Sequence, residues 1–283
     1  MEPETKLTQT TNTYQKEIRR KKRWKVLAIN FIAVGGALAL FVLLGFVNKK
    51  QNDTICWKLD VEVEKNAEEN FISEATIRVQ IIALGDSIVG TPVSQVKINK
   101  IHVALVRNPS IRKANVFITV DGRCVVKVTQ LIPIARILNN DGSSFYIDKE
   151  GYTMPLSPLF TAHVPVFTGH ISEKMQRGSI SQNASSAFIK NSLLDDIYAF
   201  TRFIQANAFL QAQVEHVHIN AQKKFEVIPR VGNHRIIFGN VDELETKYKK
   251  LMAFYAHELP QRNINPYTAI NLEYEDQVVC TTQ

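Results

Sequence analysis

ANVFITVDGRCVVKV, from Ala114 to Val128, reads as a β-hairpin. Ala114, Val116, Ile118 and Val120 alternate on one face. Asp121-Gly122 predicts a two-residue turn, and Cys124, Val126 and Val128 alternate back. Upstream, WKLDVEVE (Trp57–Glu64) alternates as a half-buried strand does, and FISEATIRVQIIAL (Phe71–Leu84) has a helical period. Ser73 is placed to cap that helix, Glu74 sits in its first turn, and Gly85 stops it. Ser94 is expected to cap a second helix running through Val106. Its apolar stripe is Ile98, Ile101 and Leu105, and Asn108-Pro109 ends it. Strand, helix, helix, strand, strand over residues 57–131 makes a small α/β unit with two helices on one sheet face.

Downstream, residues 132–280 are β-rich. PIARIL, SFYID, GYTMPL and VPVFTG are short strands joined by Asn140-Asp141-Gly142 and Lys149-Glu150-Gly151. The polar SQNASS stretch (181–186) precedes a helix over Ser192–Asn207. Strands VEHVHI, FEVIP and HRIIFG follow, then an amphipathic helix over Asp242–His257 that Pro260 stops. TAINLEYEDQVVC is expected to form one closing strand, and 281–283 are a tail. The fold class is therefore α+β.

Upstream of the α/β unit the chain changes character. Val26 to Val47, VLAINFIAVGGALALFVLLGFV, is 22 residues without a charge. As a helix it would be about 33 Å long, enough for a hydrocarbon core of ~30 Å. Residues 1–25 form a polar, then basic, tail. Seven of the ten residues from Lys16 to Lys25 are Lys or Arg, so the N-terminus is expected to stay in the cytoplasm while the bulk crosses. Residues 48–56 form a tether.

The tail holds eight basic and three acidic residues, a net +5 of the chain's +7, which leaves +2 for everything after it. That balance argues against a nucleic-acid-binding ectodomain. The three cysteines, Cys56, Cys124 and Cys280, fall in no CxxC or zinc spacing, and nothing selects a bridging pair.

Signals for catalysis are weak throughout. There is no G-x-S-x-G, P-loop, G-x-G-x-x-G or H-E-x-x-H. Ser94-Gln95-Val96-Lys97 and Ser110-Ile111-Arg112-Lys113 are S-x-x-K strings without the partner S-D-N and K-T-G motifs. His216 and His218 share a strand face and could hold a metal only with a third ligand from His163, His170, His234 or a carboxylate; exposed strand histidines explain the pair as well. Asp195-Asp196 and the acids from Glu273 to Asp276 read as solvated pairs. No enzyme, cofactor, metal or small-molecule substrate is expected.

Further short motifs recur in a recognisable order. Phe71-Ile72-Ser73-Glu74 is similar to the start of the first helix of a POTRA domain. Asn108-Pro109-Ser110-Ile111 with Ala114-Asn115-Val116 is similar to P-x-V-x-x-A-x-V, and Pro133-Ile134-Ala135 to P-V-A. Tyr146-Ile147-Asp148 with Gly151 matches D-x-x-G, and Val164-Pro165-Val166-Phe167-Thr168-Gly169 matches P-V-L-T-G. Ile270-Asn271-Leu272, then Gln277-Val278-Val279, are similar to I-D-L-R-Y and Q-V-V.

Order and spacing together resemble the FtsQ/DivIB family of bacterial division proteins over residues 20–280. Asn271 stands where Asp is usual and Glu273 where Arg is usual, so the salt bridges that those positions make in relatives are not expected here. The resemblance implies a divisome scaffold with a single-pass span, enriched at the septum, in the inner membrane, with its bulk periplasmic. It also implies that the last strand, Tyr274, Glu275, Asp276, Gln277, Val278, Val279 and Cys280, receives a segment of FtsB, which travels with FtsL. A strand at a sheet edge has the unpaired backbone groups for such β-augmentation, and the acidic cluster would suit a basic segment. The alternatives are another POTRA-bearing envelope assembly protein or an anchored wall enzyme.

Overall fold

The computed structural model describes residues 54–64, 71–175, 192–258 and 267–282, with the helical positions 35, 36, 38 and 40. Apart from those four positions, the expected span 26–47 lies outside the described residues, as do the basic tail, most of the tether, the SQNASS stretch and Pro260. No helix among the described residues is long and apolar enough to cross a membrane. The chain forms two compact units. Among the described residues, the first takes in 54–59, Ser87–Val96 and Ile118–Cys124; the second takes in 60–64, 71–86, Lys97–Phe117 and the described residues from Val125 onward.

The expected strand–helix–helix–strand–strand order is observed: β1 (Lys58–Glu64), α1 (Glu74–Ile82), α2 (Ile98–Val106), β2 (Ile111–Ile118) and β3 (Arg123–Gln130). The three strands lie in the order β1-β3-β2. The Ser73 hydroxyl accepts from the Thr76 N–H at 3.1 Å, as an N-cap should. Ile77 and Ile81 of α1, and Ile101 and Leu105 of α2, are buried.

Two expectations fail here. Ser94 does not cap α2, because Val93–Gln95 form a 3-10 turn and α2 starts later, at Ile98, with Lys97 at the N-cap position and no side-chain cap. The hairpin turn has three residues, not two. Gly122 N–H bonds back to Thr119 C=O at 2.9 Å, and Gly122 takes φ 85°. A tight turn followed by a left-handed glycine closes a three-residue loop. Val120 is thereby moved from the strand face to the tip, where it is 86% exposed.

The second unit also holds the larger sheet: β4 (Pro133–Leu138), β5 (Ser144–Asp148), β6 (Thr153–Pro155), β7 (Val166–Gly169), β8 (Val214–Ile219), β9 (Phe225–Pro229), β10 (Arg235–Gly239), β11 (Tyr267–Asn271) and β12 (Val279–Thr282). Among the described residues these nine form one sheet, ordered β12-β11-β10-β9-β8-β7-β4-β5-β6. β7 and β8 are parallel, as are β10 and β11, and parallel neighbours need crossovers. The helices α3 (Leu193–Ala206) with α4 (Ala208–Gln213), and α5 (Leu244–Glu258), supply them. The helix expected over Ser192–Asn207 is α3, and Ser192 is its N-cap, accepting from Leu194 N–H at 3.2 Å. The short α4 has no side-chain cap and was not expected from the sequence.

The core lies between the sheet and these helices. Phe200 on α3 meets Phe225 and Phe238 at centroid distances of 5.0 and 5.2 Å, and aromatic groupings of this kind dominate core energetics. Elsewhere in the same unit, Phe71 sits edge-on against Tyr146 (5.7 Å) and Phe160 (5.3 Å). Arg112 on β2 pairs with Glu150 in the β5–β6 turn at 2.6 Å.

That turn is built on Asp148, which is fully buried. Its Oδ1 accepts from the N–H groups of Glu150 (3.0 Å) and Tyr152 (2.7 Å). Burial, and then the neighbouring Glu150 carboxyl, push the Asp148 carboxyl up to about 7. The folded chain therefore holds a proton that the unfolded chain releases near pH ~3.9. Its contribution to stability is complete below that pH and is lost as pH rises towards 7. Asp148→Asn keeps the Oδ1 acceptor without the charge. It should flatten the fall in melting temperature between pH 4 and 7, read by thermal denaturation across pH.

Candidate functional site

The sheet order places β12 at one end, paired to β11 alone among the described strands. The register is antiparallel, with Ile270 opposite Cys280 and Asn271 opposite Val279. An edge strand presents an unpaired row of N–H and C=O groups on its outer side. Val279 and the two threonines after it are exposed, while Cys280 is half-buried.

The expected single strand over TAINLEYEDQVVC is instead a hairpin of β11 and β12. Of the seven residues expected on the last strand, only Val279 and Cys280 lie in β12; Tyr274, Glu275, Asp276, Gln277 and Val278 form the connecting turn. Asn271 starts that turn, its Oδ1 accepting from Glu273 N–H at 2.9 Å, and such an Asn closes a local backbone turn. Thr281 and Thr282, which complete β12, were missed, although they are β-branched and prone to extended structure.

The turn is held from three directions. Leu272 is buried, and its N–H bonds to Ile237 C=O at 2.9 Å. The Lys250 ammonium, on α5, donates to the carbonyls of Leu272 (2.8 Å), Tyr274 (2.5 Å) and Glu275 (3.3 Å). Glu273 pairs with Lys224, in the β8–β9 connection, at 2.6 Å. Val278 and Cys280 pack against the core. Tyr274, Glu275, Asp276 and Gln277 remain exposed. The result is an open strand edge whose approach is fixed, with two exposed carboxylates beside it.

The other candidates are placed plainly. His216 Nε2 lies 2.6 Å from the Thr168 hydroxyl, and burial, then His218, holds its ring below the usual histidine range. Among the described residues no group of three His, Cys, Asp or Glu is arranged to hold a metal. His234 is buried against the Tyr255 hydroxyl at 2.7 Å; burial lowers the histidine and raises the phenol. Cys56, Cys124 and Cys280 form no disulfide with one another, and burial, then Cys56, pushes the Cys124 thiol up to about 11. A cleft of about 330 Å³ beside the β4–β5 turn is lined by Asn139, Asp141, Ser143, Phe145, Glu173 and others. Within it the Ser143 hydroxyl and N–H both donate to Asp141 Oδ1, at 2.6 and 2.8 Å, which closes the β4–β5 turn.

Two family models match the chain. A POTRA-like domain covers residues 54–129, and the model described as FtsQ/DivIB, C-terminal related covers residues 132–281, just over half of the chain. No curated protein matches. FtsQ/DivIB proteins are non-enzymatic division proteins, and the paired domains point to a scaffold role in cell division. With a POTRA-like unit followed by a large mixed sheet ending in an open-edged strand, the chain belongs to the FtsQ/DivIB, C-terminal related family.

Proposed function

We propose that this chain is a scaffold of the division machinery, moored in the inner membrane by residues 26–47 with its N-terminus cytoplasmic and its bulk periplasmic. It captures an extended segment of FtsB, travelling with FtsL, on the outer edge of β12, and so links early division proteins to septal wall synthesis. The observation that carries the reading is the position of β12 at the end of the sheet, with its lead-in turn already fixed. Affinity in this mode comes from backbone hydrogen bonds and selectivity from alternate side chains.

Fixing the turn beforehand matters, because ordering it during capture would subtract from affinity. Lys250 does this by satisfying three carbonyls that would otherwise tumble in water. Glu275 and Asp276, exposed at the start of the edge, favour a segment carrying Lys or Arg. Tyr274, 49% exposed, and Val279, 38% exposed, offer apolar contact beside them. For the mooring, Leu38 and Leu40 are helical and expose their side chains, which lipid would cover.

Neighbouring N–H groups of a strand point to opposite sides, so one of Cys280→Pro and Thr281→Pro removes a donor from the open row. That variant should keep its fold by circular dichroism and capture FtsB about tenfold more weakly, the weight of roughly one hydrogen bond. Full capture by both folded variants removes β12 as the docking edge. Lys250→Met should cost about 1–3 kcal/mol locally, seen as faster amide exchange over 272–282 and weaker capture. A periplasm-dependent phosphatase fused after Gln283 should be active in cells, and an inactive fusion defeats the orientation.

A further inference from the structure

The first compact unit carries a surface that the scaffold reading does not use. Three short segments are knitted together by backbone bonds. Cys56 N–H reaches Thr91 C=O (2.9 Å), Gly90 N–H reaches Cys56 C=O (2.7 Å), Val93 N–H reaches Thr54 C=O (2.8 Å), and Trp57 N–H reaches Gly122 C=O (3.2 Å). Inside lie Cys56 and Cys124, both fully buried, and Ile88 at 8% exposure. Outside stand four large apolar side chains that this small core does not need: Ile55 (53% exposed), Trp57 (55%), Val89 (51%) and Val120 (86%).

Their positions are unusual. Val120 is the first corner residue of the turn that Gly122 N–H closes onto Thr119 C=O. Val89 is the first corner of a second turn, which Thr91 N–H closes onto Ile88 C=O at 3.3 Å, with Gly90 at φ 87°. Corner positions normally go to Pro, Gly, Asn, Asp or Ser; here both outermost corners are valine. The Trp57 indole N–H is satisfied by Asp121 C=O at 2.9 Å, so its outward ring needs no further polar partner.

Charge is scarce around them. Residues 54–57 and 87–96 contain no charged side chain. The acid at the hairpin tip, Asp121, is neutralised by Arg123 at 2.8 Å. Valine tips, a tryptophan with its dipole satisfied and a single charge pair that neutralises itself are the composition of an interfacial belt.

The chain outside the described residues says which interface. The apolar run ends at Val47, and the described unit resumes at Thr54. The six residues between them make seven Cα–Cα steps, which fully extended reach at most about 25 Å. The tips are thus tied to within a short distance of wherever that run leaves the bilayer, and such tethering makes even a weak interfacial preference effective.

We propose that this unit is a second membrane contact, with Ile55, Trp57, Val89 and Val120 seated at the boundary between headgroups and acyl chains. The inference rests on the reading of residues 26–47 as a span. Its consequence is orientational: the unit next to the membrane is held against it at fixed points, not hung on a free tether.

The chain has two tryptophans, Trp24 and Trp57, which makes the test direct. In the full-length chain, Trp24→Phe leaves Trp57 as the sole reporter. The protein is reconstituted into phosphatidylcholine–phosphatidylglycerol vesicles with or without acyl-chain-brominated lipid. Trp57 emission should fall by about half on bromination, as for a ring ~5–10 Å into the boundary. Adding Val89→Asp with Val120→Asp, both at exposed corners, should restore it. The reciprocal Trp57→Phe chain reports Trp24 beside the span. Quenching of Trp24 without quenching of Trp57 overturns the second contact and leaves the span standing. Quenching of neither overturns both. A Trp57 unquenched in vesicles but shielded from aqueous iodide in native membranes makes the tips a protein-binding surface, and also overturns the proposal.

Discussion

A strand inside a sheet has both rows of its backbone donors and acceptors paired; a strand at the end has one. In this protein that constraint concentrates at β12, the last ordered strand of the chain and the terminal strand of a nine-stranded sheet among the described residues. Everything near it serves to keep it in place. The β10–β11 crossover helix brings Lys250 over the preceding turn, Leu272 is buried beneath it, and Lys224 holds Glu273. An open edge invites unwanted pairing. Here it is only four residues long and is flanked by carboxylates, which narrows what can add to it.

Much of the architecture could be read from residues alone, for reasons that are local. Ser73 and Ser192 each precede an apolar-periodic run and each accept a backbone N–H as caps do. The strands VEHVHI and FEVIP fall where expected, at Val214–Ile219 and Phe225–Pro229. Failures came where two local readings were equally good. Asp-Gly suits both a two-residue hairpin and a three-residue one with a left-handed glycine, and the choice moved Val120 from a strand face to a tip. Ser94 is a good cap residue, but Pro92 and the turn at Val93–Gln95 delay the helix to Ile98.

The candidate site was legible in position but not in form. A closing strand near the C-terminus was expected, and one is present. What the pattern could not show is that Tyr274–Val278 turn back on themselves, because the lysine that satisfies their carbonyls comes from a helix more than twenty residues earlier. The parallel placement of β11 beside β10 is likewise set by a crossover, not by alternation within the strand. The helix α4 escaped notice because six residues with no cap carry too little period to register.

At its far end the sheet stops differently. β6 is three residues long and closes on Pro155, which has no amide hydrogen to offer. One flank of the sheet is therefore chemically blunt while the other is open. A protein with two receptive flanks could string copies of itself into an unlimited ribbon; with one, growth ends after a single addition. Among the described residues Pro155 thus leaves the β6 edge shorter of donors than the β12 edge, an asymmetry that disfavours ribbons growing from both flanks.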